Sequence, residues 1–186
     1  MRSSNLYNPF TKIAGFKSFI IGFIGLLITT YLAFKTGTHF KTGTYFNFRD
    51  LFGIDFAKDS DYWVFFMESF SNWLFISTFL YISGLILSKS KIRVIDILGT
   101  TLLSLIPLII TPLIRMLPVF QSFMHQSWQR DTIEGVYYIS LAWTIILLFN
   151  AFKISCNLKN ERLITSFIIS IVLSEICTKL FIKLIV

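Results

Sequence analysis

Charge is scarce in this chain, and so are the residues from which most reaction chemistry is built. Of its 186 residues 15% are charged, against roughly 25% in soluble domains. The two cysteines, Cys156 and Cys177, stand far apart with no CxxC pair and no histidine pair nearby. Neither a disulfide framework nor a zinc site follows from that spacing, and both are expected to be packing residues. No GxGxxG, GxxxxGK[ST], HExxH or GxSxG pattern occurs, and each absence removes a common enzyme class. Ser88 to Lys91 match SxxK but lie in a charged loop without a companion motif. His125 has no second ligand at helical spacing. No catalytic, cofactor-binding or metal-ligating residue is therefore expected, no cofactor is implied, and turnover is not anticipated.

What the chain has instead is apolar sequence: 54% hydrophobic residues and a mean hydropathy of +0.69. A helix needs about 20 apolar residues to cross a hydrocarbon core of roughly 30 Å. The hydrophobicity comes in blocks of about that length, Ser18 to Phe34, Ser69 to Ser88, Ile97 to Ile114, Gly135 to Phe152 and Leu163 to Val186. They predict an all-α polytopic membrane helix bundle in one membrane domain, with five spans near 16–35, 64–88, 95–117, 134–153 and 162–184. The first block follows Arg2, Lys12 and Lys17 as a secretory signal would. The bulky Tyr31-Leu-Ala-Phe-Lys35 offers no small-x-small cleavage pattern, so it is read as a retained span.

The fifth block differs, because it holds Glu175, Lys179 and Lys183. A charge at mid-helix costs roughly 2.5–3.5 kcal/mol on a translocon scale, and each Leu, Ile, Phe or Val returns about 0.3–0.6. The fifteen such residues from Leu163 to Val186 thus return roughly 5–9 kcal/mol against about 6 for Glu175 and Lys179. The three charges share one helical stripe, where Glu175 and Lys179 can neutralise each other and Lys183 can snorkel. A structural pair is one reading; a proton or ion path, or a polar contact with a partner helix, is the other. In the third span Pro107 and Pro112 each remove a backbone donor, freeing the carbonyls of Leu103 and Leu108. A kink is expected there, with Thr100, Thr101, Ser104 and Thr111 as local partners for the freed groups.

Five spans put the N-terminus and the loops Lys89 to Asp96 and Lys153 to Arg162 on one side. These carry nine cations, from Arg2 to Arg162, against Asp96 and Glu161. Short basic segments mark the cytoplasmic side, so the N-terminus is expected there and the C-terminus outside. The net charge of +7 is accounted for by topology and attraction to anionic lipid, and nucleic acid is not needed as a partner. Asn8 as N-cap and Pro9 as first helical residue, followed by Phe10, Ile13 and Phe16, predict a short interfacial amphipathic helix. The tandem repeat Lys35-Thr-Gly-Thr-His-Phe40 and Lys41-Thr-Gly-Thr-Tyr-Phe46 suggests extended segments or a hairpin against the membrane surface. Val119 to Glu134 reads as an external loop on that surface. Small residues at Gly22, Gly25, Ser83, Gly84, Gly99 and Ser104 are expected to let helices approach closely.

Three stretches share an order with a known family: Asn8-Pro-Phe-Thr-Lys-Ile-Ala-Gly-Phe-Lys17 leading into the first span, Ile92-Arg-Val-Ile95 before Leu103-Ser-Leu-Ile-Pro107, and Trp143-Thr-Ile-Ile-Leu-Leu with Ala151-Phe-Lys153 and Asn157-Leu-Lys-Asn-Glu-Arg162. In this order the chain resembles the bacterial branch of the Yip (Ypt-interacting protein) family. The resemblance implies five spans in a bacterial inner membrane, a cytoplasmic N-terminus and action by contacts with partner proteins or lipids, as a second copy or another membrane protein would make. Rab binding does not carry over, because the long cytoplasmic region of the eukaryotic members is missing. A small transporter or channel subunit, using the kinked third span and the Glu175/Lys179 stripe, is the alternative.

Overall fold

The computed structural model describes residues 10, 13, 15–39, 61–88, 92–121, 127–158 and 160–185. Their elements are α1 (Phe16–Thr36), α2 (Tyr62–Leu87), α3 (Val94–Ser104), a 3-10 turn (Ile106–Ile109), α4 (Ile110–Arg115), α5 (Pro118–Gln121), α6 (Ser127–Cys156) and α7 (Asn160–Ile185). There is no strand among the described residues. Four helical stretches are long and apolar enough to cross a membrane: Phe16–Thr36, Tyr62–Leu87, Val94–Arg115 and Asp131–Cys156. The chain is thus an all-helical membrane protein.

The helix ends have local causes. Gly37 adopts a left-handed φ of 58°, which turns the chain back so that its own N–H reaches the Phe34 carbonyl at 3.3 Å and the Thr38 N–H the Ala33 carbonyl at 2.8 Å. Only residues without a Cβ penalty take that conformation cheaply. The first copy of the Lys-Thr-Gly-Thr repeat is therefore a helix cap, not a strand or hairpin, since Lys35 and Thr36 still belong to α1. The second copy lies outside the described residues. At the other boundary Asn157, with φ of 49°, ends α6; asparagine tolerates the left-handed region better than most residues.

Two further expectations change. The fourth helix begins at Ser127, so 127–134 continues the fourth span and is not a loop; Gln129 is buried and donates from Nε2 to the Val119 carbonyl at 2.7 Å. Phe10, expected at the membrane surface, is 2% exposed and packs with Leu103, Leu147 and Ala151. The small Ala151 leaves space for its ring between α3 and α6. Ile13 packs against the same cluster and exposed Phe16 already opens α1; Asn8, Pro9, Lys12, His125 and the lysines of the SxxK match lie outside the described residues.

In lipid the hydrophobic effect does not drive helices together, so close packing and internal hydrogen bonds must. Helix α1 buries Ser18, Gly22, Leu26, Thr29, Thr30 and Ala33 and crosses α3 at the glycines. A Cβ on Gly22 would fall 2.5 Å from Leu102 Cβ and 2.7 Å from the Leu103 nitrogen; one on Gly99 would fall 2.5 Å from Ser18 Oγ. Helix α7 packs along α2 through Ser166, Ser170, Ser174 and Thr178, all buried and spaced four apart. Ser170 Oγ lies 2.6 Å from Ser83 Oγ and the Phe181 ring 5.7 Å from that of Phe75, so the two helices run antiparallel. Ile76, Leu80, Leu148, Phe152, Phe167 and Ile171 fill the centre.

Candidate functional site

The buried polar side chains gather where α1, α2, α3 and α7 meet, toward the end of the bundle marked by His39 and Arg115. Glu68 is the seventh residue of α2, which places it about 9 Å along the axis from Tyr62 at 1.5 Å per residue. It is 3% exposed, and Asn72, one turn deeper, is 7% exposed. The antiparallel register that sets Phe75 against Phe181 carries Asn72 toward the last turns of α7, where Ile182 lies. Glu68, Ser69 and Asn72, with Gly25 and Thr29 of α1 and Thr178 and Ile182 of α7, line a cavity of about 30 Å³. Leu102 of α3 and Leu105, Ile106 and Leu108 around the 3-10 turn close its remaining wall.

That wall exists because of proline. Pro107 cannot donate to the Leu103 carbonyl, and the chain shifts to shorter bonds, Leu105 N–H to the Leu102 carbonyl at 3.1 Å and Leu108 N–H to the Leu105 carbonyl at 3.0 Å. The helix tightens into the Ile106–Ile109 turn. Pro112 falls at the third position of α4, where a backbone donor would have no partner within that helix, so it fits without a second interruption. The hydroxyls expected to serve the freed carbonyls act elsewhere. Thr100, Thr101 and Ser104 donate to the carbonyls of Asp96, Ile97 and Thr100 at 2.6, 2.7 and 2.7 Å. Thr111 is buried, with no hydrogen-bond partner for its hydroxyl among the described residues.

At the mouth of this region His39 Nδ1 lies 3.3 Å from Glu68 Oε2. The imidazole is held by stacking on Phe65, centroids 4.1 Å apart. Arg115 Nη1 donates to Thr38 Oγ1 at 3.0 Å, and that oxygen lies 2.6 Å from Thr36 Oγ1. A short polar chain thus joins the end of α4 to the cap of α1. Lys35 sits over the rings of Tyr31 and Phe34 at 5.7 and 5.9 Å, and exposed Tyr31, Trp63 and Trp128 flank the same end. Aromatic rings at this level suit a headgroup boundary.

Glu175 and Lys179 are both inside the bundle, 1% and 3% exposed, and close enough for the carboxylate to act electrostatically on the ammonium. Lys183 is exposed near the end of α7. Neither Glu175 nor Lys179 lines the cavity; Thr178, between them on the helix, does. Outside the spanning helices, Arg93 is held above its ordinary pKa by its hydrogen bonds to Asp96 at 2.7 and 3.1 Å. That pair caps the opposite end of the bundle at the start of α3.

No family model, curated protein or solved structure matches this chain. The site must be read from its own residues.

No motif in the sequence marks Glu68, His39, Asn72, Thr29 or Thr178 as a group. One signal was present: Glu68 and Asn72, four apart, interrupt a segment that is otherwise rich in Phe, Trp and Met. Polar residues at that spacing share a helix face, and in a membrane that face turns inward. The four-residue spacing of hydroxyls in α7 carried a similar message.

Proposed function

We propose that this chain is a five-span, Yip-like protein of a bacterial inner membrane that works by contacts with lipid or a membrane partner, without turnover. The observation that carries the reading is the small size of the cavity at the polar cluster, about 30 Å³, which has room for about two water molecules and not for a metabolite. The surfaces available for work are then the outward helix faces, such as Ile20, Ile24 and Ile28 of α1 and Ile139, Trp143 and Ile146 of α6, all exposed. Support for a fifth span comes from α7: its 26 residues extend about 39 Å, beyond a hydrocarbon core of roughly 30 Å. Its charges Glu175 and Lys179 face the bundle while Ile164, Ile168, Ile169, Leu173, Leu180 and Leu184 face outward. The basic segments that precede α1 and follow α6 favour a cytoplasmic N-terminus and an external C-terminus. The interfacial amphipathic N-terminal helix and the Yip resemblance are part of the same proposal, supported by the segment order of the sequence.

Two measurements test it. In a background free of native cysteines, Lys17→Cys and Lys183→Cys should react with an impermeant maleimide from opposite sides; labelling from one side rejects the five-span arrangement. Photo-crosslinkers at Ile24 and Ile146 should capture a defined protein, another chain or a second copy. Adducts with lipid alone, together with solute flux in liposomes, would replace the contact reading with the transporter or channel reading, which the Pro107 break beside the cavity favours.

A further inference from the structure

Phe10 and Gly22, on opposite sides of Gly15 in the sequence, arrive at the same residue of α3. Phe10 packs against Leu103, and a Cβ on Gly22 would lie 2.7 Å from the Leu103 nitrogen. Gly15 itself sits nearer the start of that helix. A Cβ on Gly99 would fall 2.7 Å from the Gly15 carbonyl oxygen, and a Cβ on Gly15 would fall 3.2 Å from Asp96 Oδ1. From Gly99 to Leu103 α3 rises about 6 Å, well within the roughly 17 Å that the chain from Gly15 back to Phe10 can span. From Gly15 the chain thus leads into the bundle in both directions, and its φ of 67° makes the reversal. Glycine takes that value about as readily as its mirror image.

The sequence of the same segment is that of a surface helix. Asn8 and Pro9 can start it, and Phe10, Ile13 and Ala14, at spacings of three and four, share a helical face that Lys12 does not. One apolar face therefore has two places to go, the seam between α3 and α6 or the boundary of the bilayer. Lipid tails are as apolar as Leu103 and Leu147, so the seam holds Phe10 by close packing and not by hydrophobicity. Headgroups can compete with a hold of that kind, because each basic residue brought to an anionic surface weighs about fivefold in such an equilibrium.

We propose that the residues before Gly15 form a two-state arm. In neutral lipid the arm is docked between α3 and α6; on an anionic bilayer it pivots at Gly15 and lies on the surface as a short amphipathic helix. The surface state is the amphipathic N-terminal helix of the function proposed above and rests on that reading; its partner is the anionic lipid. The pivot leaves α1 in place, since Ser18 Oγ and the Phe19 N–H hold the Gly15 carbonyl at 2.8 and 3.2 Å from its far side. Departure of the arm uncovers Leu103, Leu147 and Ala151 and removes the ring that ties α3 to α6.

Fluorine NMR of the full chain in lipid nanodiscs, with 4-fluorophenylalanine in place of Phe10, reads the arm, and a nickel-chelating lipid broadens whatever lies at the surface. Phosphatidylcholine should give one sharp resonance; adding phosphatidylglycerol should bring up a second, broadened one. The ratio of second to first should fall about fivefold in Lys12→Gln. It should not change in Lys17→Gln, because exposed Lys17 belongs to α1 in both states. Ala151→Leu fills the place of the ring and should give the surface resonance in neutral lipid. If that variant does not assemble, Gly15→Ala, which disfavours a φ of 67°, should shift the ratio the same way. A docked resonance alone in both lipids removes the amphipathic helix and the switch with it. A surface resonance alone in phosphatidylcholine, a ratio that ignores phosphatidylglycerol, or an equal fall in Lys17→Gln removes the switch and leaves the helix standing.

Discussion

Replacing Gly22 with alanine adds one methyl group where there is no room for it. The new carbon would stand 2.5 Å from Leu102 Cβ, 2.7 Å from the Leu103 nitrogen and 2.8 Å from the Leu102 carbonyl carbon. Relaxed carbon contacts are about 3.5–4.0 Å, so α1 and α3 must separate by about 1 Å. Two of the three obstructing atoms are backbone, and no rotamer change removes them. Overpacking of this kind costs typically about 1–3 kcal/mol, and the rigid obstruction argues for about 3. Alanine also gains about 1 kcal/mol of helix propensity over glycine, leaving a net loss of about 2 kcal/mol. Gly135, also helical, has nothing within 4 Å of its would-be Cβ. Gly135→Ala should therefore show the propensity gain alone, about 1 kcal/mol of stabilisation. Subtracting the two removes propensity and isolates the packing term, about 3 kcal/mol or roughly a hundredfold in the unfolding constant. Reversible unfolding in mixed micelles, followed by tryptophan fluorescence, measures both variants. If Gly22→Ala proves as stable as Gly135→Ala, the close α1–α3 crossing is not what holds this half of the bundle together.

Ser170→Ala removes the 2.6 Å contact to Ser83 and the bond to the Phe79 carbonyl at 3.3 Å; the same unfolding assay should register a loss of about 0.6 kcal/mol, the average for interhelical hydrogen bonds in lipid. A loss near zero would mean that Ser83 finds another partner at no cost. Glu175→Gln should cost more, about 3 kcal/mol, because it leaves the Lys179 ammonium in the interior without its compensating charge. Glu175→Gln combined with Lys179→Met should recover most of that loss, and a double variant as unstable as the single one would show that the two charges do not compensate each other.

Helix type and position were legible because uncharged runs of spanning length have no other stable state in this composition, and the small residues foretold the crossings. Gly22 and Gly99 meet α3 and α1, Gly84 would place a Cβ 2.6 Å from Cys156 Sγ, and Ser83 bonds Ser170. Pro107 foretold a break but not its form, since the choice of a 3-10 turn depends on what Leu105 and Leu108 pack against. Boundaries were less legible for a local reason: Ser127 to Glu134 is polar enough to read as loop, yet Gln129 finds the Val119 carbonyl and the helix runs on through it.

The site was the least legible part, and the reason is geometric. Periodicity assigns Glu68 and Asn72 to one face of α2, and Thr178 and Ile182 to one face of α7, but it cannot say that the two faces meet. That depends on register, and register here is set four turns away, where Ser83 and Ser170 come within 2.6 Å. Small hydroxyls let the helices close there, and the antiparallel path then carries Asn72 to the turn of Phe181 and Ile182, one turn from Thr178, beside the cavity that Glu68, Asn72, Thr178 and Ile182 all line. The hydroxyl row and the cavity lie along one packing seam between α2 and α7. A variant that forces the seam open, such as Ser170→Leu, should therefore lower stability well beyond Ser170→Ala in the same unfolding assay, by about 1–3 kcal/mol of overpacking, and equal losses for the two variants would show that small residues are not what closes the seam.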